Sequence, residues 1–202
     1  MNNWTFQTGW SLVTEPTEAA LDLEAAKSHL RIDTDKEDND VERMVKAATE
    51  WVESRGEMLS PQTWDLTLDV FPINCPIQIL KRPLRSVEYI TYVDQDGATQ
   101  TWDSSKYKVA KKGRWPRIAP AFNEMWPITR SEMEAVTIRL NLGYDSSPRT
   151  IPAAAQQAML LLIGHLYENR EAVVVIQGIV SLELPLGLEA LLDQVIGGAR
   201  IY

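Results

Sequence analysis

Acidic residues are the most abundant chemistry-bearing groups in this chain: 28 Asp and Glu, against 20 Lys and Arg, two His and one Cys. Two carboxylates facing one another can act as general acid and base, but no spacing here selects a pair. The run Asp33-Thr34-Asp35-Lys36-Glu37-Asp38 begins like a calcium loop. It fails at the sixth position, Asp38, where the sharp turn needs glycine. It fails again at the twelfth, Met44, where a bidentate glutamate is needed. Compensation of a helix N-terminal dipole explains the run better. His29 and His165 each lie in a helical pattern with no second ligand at i+4, so a zinc site is not indicated. They read as core or interface histidines. Cys75, between Asn74 and Pro76, has no base near it in sequence and reads as a small buried or loop thiol. Asn3-Trp4-Thr5 fits a glycosylation sequon, but no secretory signal precedes it. No P-loop, nucleophile elbow or dinucleotide fingerprint is present. The readings are therefore no catalytic residues, no metal and no cofactor. One dense basic patch remains, Lys111-Lys112-Gly113-Arg114-Trp115-Pro116-Arg117. Cations around an aromatic ring can track a nucleic-acid backbone; a solvated loop pairing with the chain's own carboxylates is the other reading.

These residues are carried on two kinds of element. Asp22 is a candidate N-cap, and Leu23, Ala26 and Leu30 follow at helical spacing up to Arg31–Asp33. Thr34 and Glu37 fit a capping box. Val41, Met44, Val45, Ala48, Trp51 and Val52 then form one apolar stripe, stopped by Gly56. The period changes to two at Trp64, Leu66, Leu68 and Val70, the pattern of a half-buried strand. Further strands are expected at 77–80, 87–93, 98–102 after the Asp96-Gly97 turn, 107–110, 117–119 and 136–142. After Pro152, Ala155, Ala158, Met159, Leu162, Ile163 and Leu166 restore the helical period. Leu160, Leu161 and Tyr167 make that helix apolar nearly all round, so it is buried or meets a partner. A last helix carries Leu188, Leu191, Leu192 and Val195.

Segregated runs of helices and strands argue an α+β fold. Helices are expected at 22–31, 37–55, 152–168 and 187–196, with a mainly antiparallel β insertion within 62–144. The expected organisation is an irregular arm at 1–20, a helical core from 21–60 and 150–202, and an inserted β region at 61–149. The helices flanking the insertion should pack on one another. With 202 residues the chain can bury a core without metal or disulfide support. One cysteine excludes an internal disulfide and favours a reducing compartment. A formal charge of −8 argues against tight wrapping of nucleic acid. No apolar run reaches the roughly 18 residues of a membrane span.

Several stretches resemble the head–tail connector, or adaptor, family of tailed phages and phage-like gene-transfer particles. They are LDLEAAKSHLRID (21–33), VERMVKAATEWVESRGEMLSPQTWDLTLDVFP (41–72), RPLRSVEYITYVDQDGATQTWDSSKY (82–107), WPITR (126–130), VTIRLNLGY (136–144), IPAAAQQAMLLLIGHLYENREAVVV (151–175) and LPLGLEALL (184–192). The Ala-Lys-x-His-Leu-Arg helix and His-x-Tyr-Glu-Asn-Arg-Glu-Ala are the most specific. The resemblance implies a non-enzymatic ring protein of about twelve copies at the head–tail junction of a virion or phage-like particle, assembled in the bacterial cytoplasm. Its implied partners are itself, the portal protein and the next head-completion, stopper or tail protein. DNA would pass through without specific binding. No catalytic residues carry over.

Two segments are expected to make contacts in such an assembly. Val173, Val174, Val175, Ile176, Ile179 and Val180, within Ala172–Pro185, are too apolar for a free loop yet keep no single period. Arg200, Ile201 and Tyr202, after the flexible Gly197-Gly198 pair, offer the charge and anchors found at binding hot spots. The acidic surplus is expected on a channel wall, through 35–42 or 183–193, with the 111–117 patch away from it.

Overall fold

The computed structural model describes residues 8–113, 115–145, 151–169 and 186–196. It is an α+β protein in two compact units. One is built from the segment up to Thr17 and from Ser60–Tyr144; the other from Glu18–Leu59 and the chain from Asp145 onward.

The first unit is built on a five-stranded antiparallel sheet. Its strands are β1 (Thr8–Thr14), β2 (Gln62–Leu68), β4 (Leu84–Val93), β5 (Thr99–Thr101) and β8 (Val136–Leu142), in the order β1-β2-β8-β4-β5. The alternation expected around Trp64–Leu68 and Val136–Leu142 sets its register. Leu66, Ile138 and Ile90 lie opposite one another across three strands, and all are buried. One residue along, the opposite face carries polar rows. Arg139 makes a two-pronged ion pair with Asp65, at 2.9 and 2.8 Å. Thr63 donates to Asn141 at 2.9 Å, and Asn141 donates to Ser86 at 3.1 Å. A one-residue slip would exchange these faces, so burial and hydrogen bonding fix the same register. The β4–β5 turn is held by Asp94, whose carboxylate accepts from Asp96, Ala98 and Gln100 while Gly97 sits at φ 87°.

A second sheet joins β3 (Ile77–Gln78), β7 (Arg117–Pro120) and β6 (Tyr107–Ala110), all antiparallel. The strand expected at 77–80 is therefore only two residues long. Pro76 before it and the Ile79 N–H bonded to the Pro116 carbonyl, outside the ladder, account for its shortness.

The irregular arm is corrected over Thr8–Thr14, which forms β1 along the edge of the main sheet. Trp10 meets Trp64 edge-on at 6.4 Å, and the Lys81 ammonium lies 3.9 Å from the Trp64 ring centre. Almost all of β1 is exposed, so neither face carries the alternation that marks a strand in sequence. Trp4 and Phe6 lie outside the described residues.

The second unit contains α1 (Leu23–Leu30), α2 (Asp38–Glu53), α3 (Ala153–Glu168) and α4 (Leu186–Ile196). All four lie where the periodicity put them. α2 packs against α3, as expected for the helices flanking the insertion, and α1 touches both. Val41, Val45, Ala48 and Val52 bury one side of α2, and Ala155, Ala158, Met159, Leu162 and Ile163 bury one side of α3. α1 ends in a left-handed residue, Arg31 at φ 58°, with Ile32 N–H returning to the Lys27 carbonyl at 3.0 Å. This is a Schellman closure without glycine. The Thr34–Glu37 capping box does not form. Thr34 instead accepts from Lys36 at 3.3 Å and caps a 3-10 turn over Asp35–Glu37, and α2 begins one residue later.

Candidate functional site

The carboxylate run at 33–38 has a partner that its helix-start position does not explain. Lys27 on α1 is buried, with its side chain 6% exposed, and its ammonium lies 2.7 Å from Asp38 and 2.9 Å from Asp35. Burial of a lone ammonium is costly, so the two carboxylates are what allow Lys27 to point inward. Hydrogen bonds to Asp38 and then Asp35 hold the Lys27 pKa well above its ordinary value. The hydrogen bond from Lys27 and its charge hold Asp35 below the usual carboxylate range. Glu37 accepts from the Tyr167 hydroxyl at 3.0 Å, tying the turn before α2 to α3. The run is thus an internal brace. A lysine four residues after Leu23, on the apolar side of α1, was the available signal.

His29 and His165 both lie in this unit. The His29 ring lies along Gly164, where an added Cβ would sit 3.6 Å from its Nε2. His165 Nδ1 faces Asn169 at 3.4 Å, and its Nε2 is buried without a hydrogen-bond partner. Among the described residues no cluster of His, Cys, Asp and Glu could hold a metal ion.

The basic patch is less open than its sequence reads. Lys111 donates to the Arg85 carbonyl. The Arg82 guanidinium lies over the Trp115 ring, 5.4 Å from its centre. Lys112 and Arg117 are exposed, and Arg114 lies outside the described residues.

The most distinctive surface of the first unit was not read from sequence. Loops 70–76 and 119–129 enclose an apolar groove of about 600 Å³. Two of its lining residues, Phe71 and Trp126, belong to an aromatic cluster. Phe71 stacks on Trp126 at 4.8 Å and 13°, and both rings meet Trp102, at 5.9 and 5.0 Å. Trp126 Nε1 donates to the Cys75 carbonyl at 3.2 Å. The rim holds Ile73, Met125 and Ile128, which are 84%, 83% and 72% exposed, with Phe122 beside it at 92%. Asn74 and Asn123 turn the two loops at φ 54° and 64°, a conformation asparagine tolerates better than most residues. Cys75, an exposed loop thiol, lines this groove. The signal available was the density of Pro, Asn and unpatterned apolar residues at 70–76 and 119–128.

Val173, Val174, Val175, Ile176, Ile179, Val180, Arg200, Ile201 and Tyr202, expected to make contacts, all lie outside the described residues.

The described features are internal braces and an exposed apolar groove on an α+β frame. Residues 20–112 match the family described as Phage gp6-like head-tail connector protein. No curated protein matches the chain. Solved structures with the same fold come from gene transfer agent (GTA) particles. A chain of "Virion of native gene transfer agent (GTA) particle" is 23% identical, with a TM-score of 0.71 over 92% of this chain and 93% of that one. A chain of "Neck of empty GTA particle computed with C6 symmetry" gives 23% and 0.73 over 92% and 94%. A chain of "Neck of native GTA particle computed with C12 symmetry" gives 21% and 0.72 over 92% and 93%.

Proposed function

We propose that this protein is a structural head–tail connector that forms a ring of about twelve copies in the neck of a virion or phage-like particle. The observation that carries this reading is the connector match over residues 20–112, joined to a shared fold over 92% of the chain with neck proteins. The C6 and C12 symmetry of those necks supports a closed ring, and twelve is the copy number that fits both. In this reading the ring joins the portal to the next head-completion or tail component and lines the DNA passage without gripping DNA. The role is structural, not catalytic. Residues 21–60 and 150–202 serve as the helical core and 61–149 as an insertion. Val173–Ile176, Ile179 and Val180 meet a neighbouring copy or partner. Arg200, Ile201 and Tyr202 dock on the portal.

Mixing the chain with its cognate portal and imaging the product tests the reading. A ring of regular copy number seated on the portal is the expected result. A chain that leaves the portal bare at every concentration tried overturns it. Deleting 197–202 should abolish seating, and unimpaired binding would assign those residues no docking role.

A further inference from the structure

The groove between loops 70–76 and 119–129 exposes more apolar surface than a solvated loop pair requires. Ile73, Met125 and Ile128 are each more than 70% exposed at its rim. Contiguous exposed apolar patches mark interaction sites. This one is also held in shape. Besides the Phe71–Trp126 stack, Ala121 N–H bonds to the Lys106 carbonyl at 2.9 Å, Arg130 N–H to the Val93 carbonyl at 3.0 Å, and Glu134 N–H to Asp69 at 2.8 Å. A surface already ordered loses little entropy when it is covered.

The lining says what can enter. Its one charged residue is Glu124, so phosphates of nucleic acid or lipid are repelled. Pro72, Pro76, Pro120 and Pro127 line it and supply no N–H. A strand cannot be added there through its backbone. The groove fits a knob of apolar side chains.

Such a knob stands at the opposite edge of the same sheet. The register of β1 on β2 slips between Leu12 and Thr14, making Val13 the extra residue of a bulge. A bulge re-aims side chains. Leu12 and Val13 are 41% and 42% exposed, side by side on this edge strand. The groove lies toward the other edge, where Phe71 contacts Tyr92 of β4 and Trp102, which follows β5. A rotational ring joins unlike surfaces, one on each side of every subunit. The first unit has an apolar recess toward one edge of its sheet and an apolar bulge on the other edge.

We infer that the β unit carries a copy-to-copy contact in which the Leu12–Val13 bulge of one subunit enters the Ile73–Met125–Ile128 groove of the next. This rests on the ring reading and names the surfaces that close it.

The single native cysteine gives a direct test, because Cys75 lines the groove. Thr14→Cys places a second thiol on the exposed end of β1 and leaves the bulge side chains intact. The full-length variant is concentrated, sized in solution and treated with a short bismaleimide, beside a T14C/C75S control. The expected result is a denaturing-gel ladder of dimer, trimer and higher species, absent from the control and at least tenfold reduced by Ile128→Asp. Bands stopping at dimer indicate a two-fold contact and overturn the inference. A ring-sized particle without a ladder overturns it and leaves the ring reading standing. No ladder and no particle, with portal present or absent, overturns both.

Discussion

Asp35 is almost fully exposed, yet its carboxylate is held below the ordinary 3.8 by the hydrogen bond and charge of buried Lys27. The sign of its linkage to stability follows. The unfolded chain takes up this proton at a higher pH than the folded chain does. The contribution of Asp35 is therefore complete above about pH 4 and is lost as pH falls through the lowered folded value. Asp35→Asn should reduce the urea midpoint at pH 7, and the gap from wild type should close below pH 4. A gap that persists unchanged into acid would mean that Asp35 acts through something other than its charge. Lys27 has the opposite sense. Its raised value keeps its contribution intact up to its ordinary 10.5, with loss only at higher pH. Gly143 illustrates a constraint with no charge. It sits at φ 98° with its N–H on the Pro83 carbonyl, and an added Cβ would overlap the Ser60 carbonyl oxygen. Strain and overlap together should make Gly143→Ala cost about 2–3 kcal/mol, read as a shift in denaturant midpoint. A neutral result would mean that the Ser60–Pro61 backbone moves freely.

At the scale of elements, α3 carries a contrast that separates folding from assembly. Leu162 is 4% exposed on the side facing its own unit, whereas Leu161, next to it, is only half-buried. Leu162→Ala should cost about 2–5 kcal/mol through lost burial and a residual cavity. Leu161→Ala should cost about 1 kcal/mol or less in the isolated chain. Equal costs would mean that another part of the chain covers Leu161. This helix was readable from its sequence because six apolar positions repeat at one spacing behind Pro152. α2 was readable for the same reason, and β2 and β8 because a buried face alternates with the Asp65–Arg139 and Thr63–Asn141 rows. The signals that failed were those settled by distant residues. β1 is a strand because Trp64, Lys81 and the open edge of β2 receive it, not because of its own pattern. Glu37 leaves its capping box because Tyr167, 130 residues away, donates to it. The groove went unseen because it is assembled from two irregular loops that no periodicity links.

For the whole molecule, charge decides how it treats DNA. Each chain carries a formal −8, and twelve copies in the proposed ring carry about −96. That net field repels a polyanion, although ions screen it beyond about 8–10 Å. Net charge leaves room for a local cationic track, and the sequence offers one at 111–117. Folding reduces it: Lys111, although exposed, donates to the Arg85 carbonyl, and Arg82 lies over Trp115, while Lys112 and Arg117 are exposed cations with no such contact among the described residues. Two phosphate contacts release few counterions, so the salt dependence they generate is shallow and the affinity weak. A protein that lets DNA slide past should behave this way, with no site deep enough to stall it. The chain should accordingly show no retention on a double-stranded DNA column at about 0.15 M salt and only slight retention at about 0.05 M. Replacing both Lys112 and Arg117 with alanine should leave these profiles unchanged within error. Strong retention at the higher salt, lost in that double variant, would make the 111–117 segment a nucleic-acid site and return the chain to the DNA-binding reading.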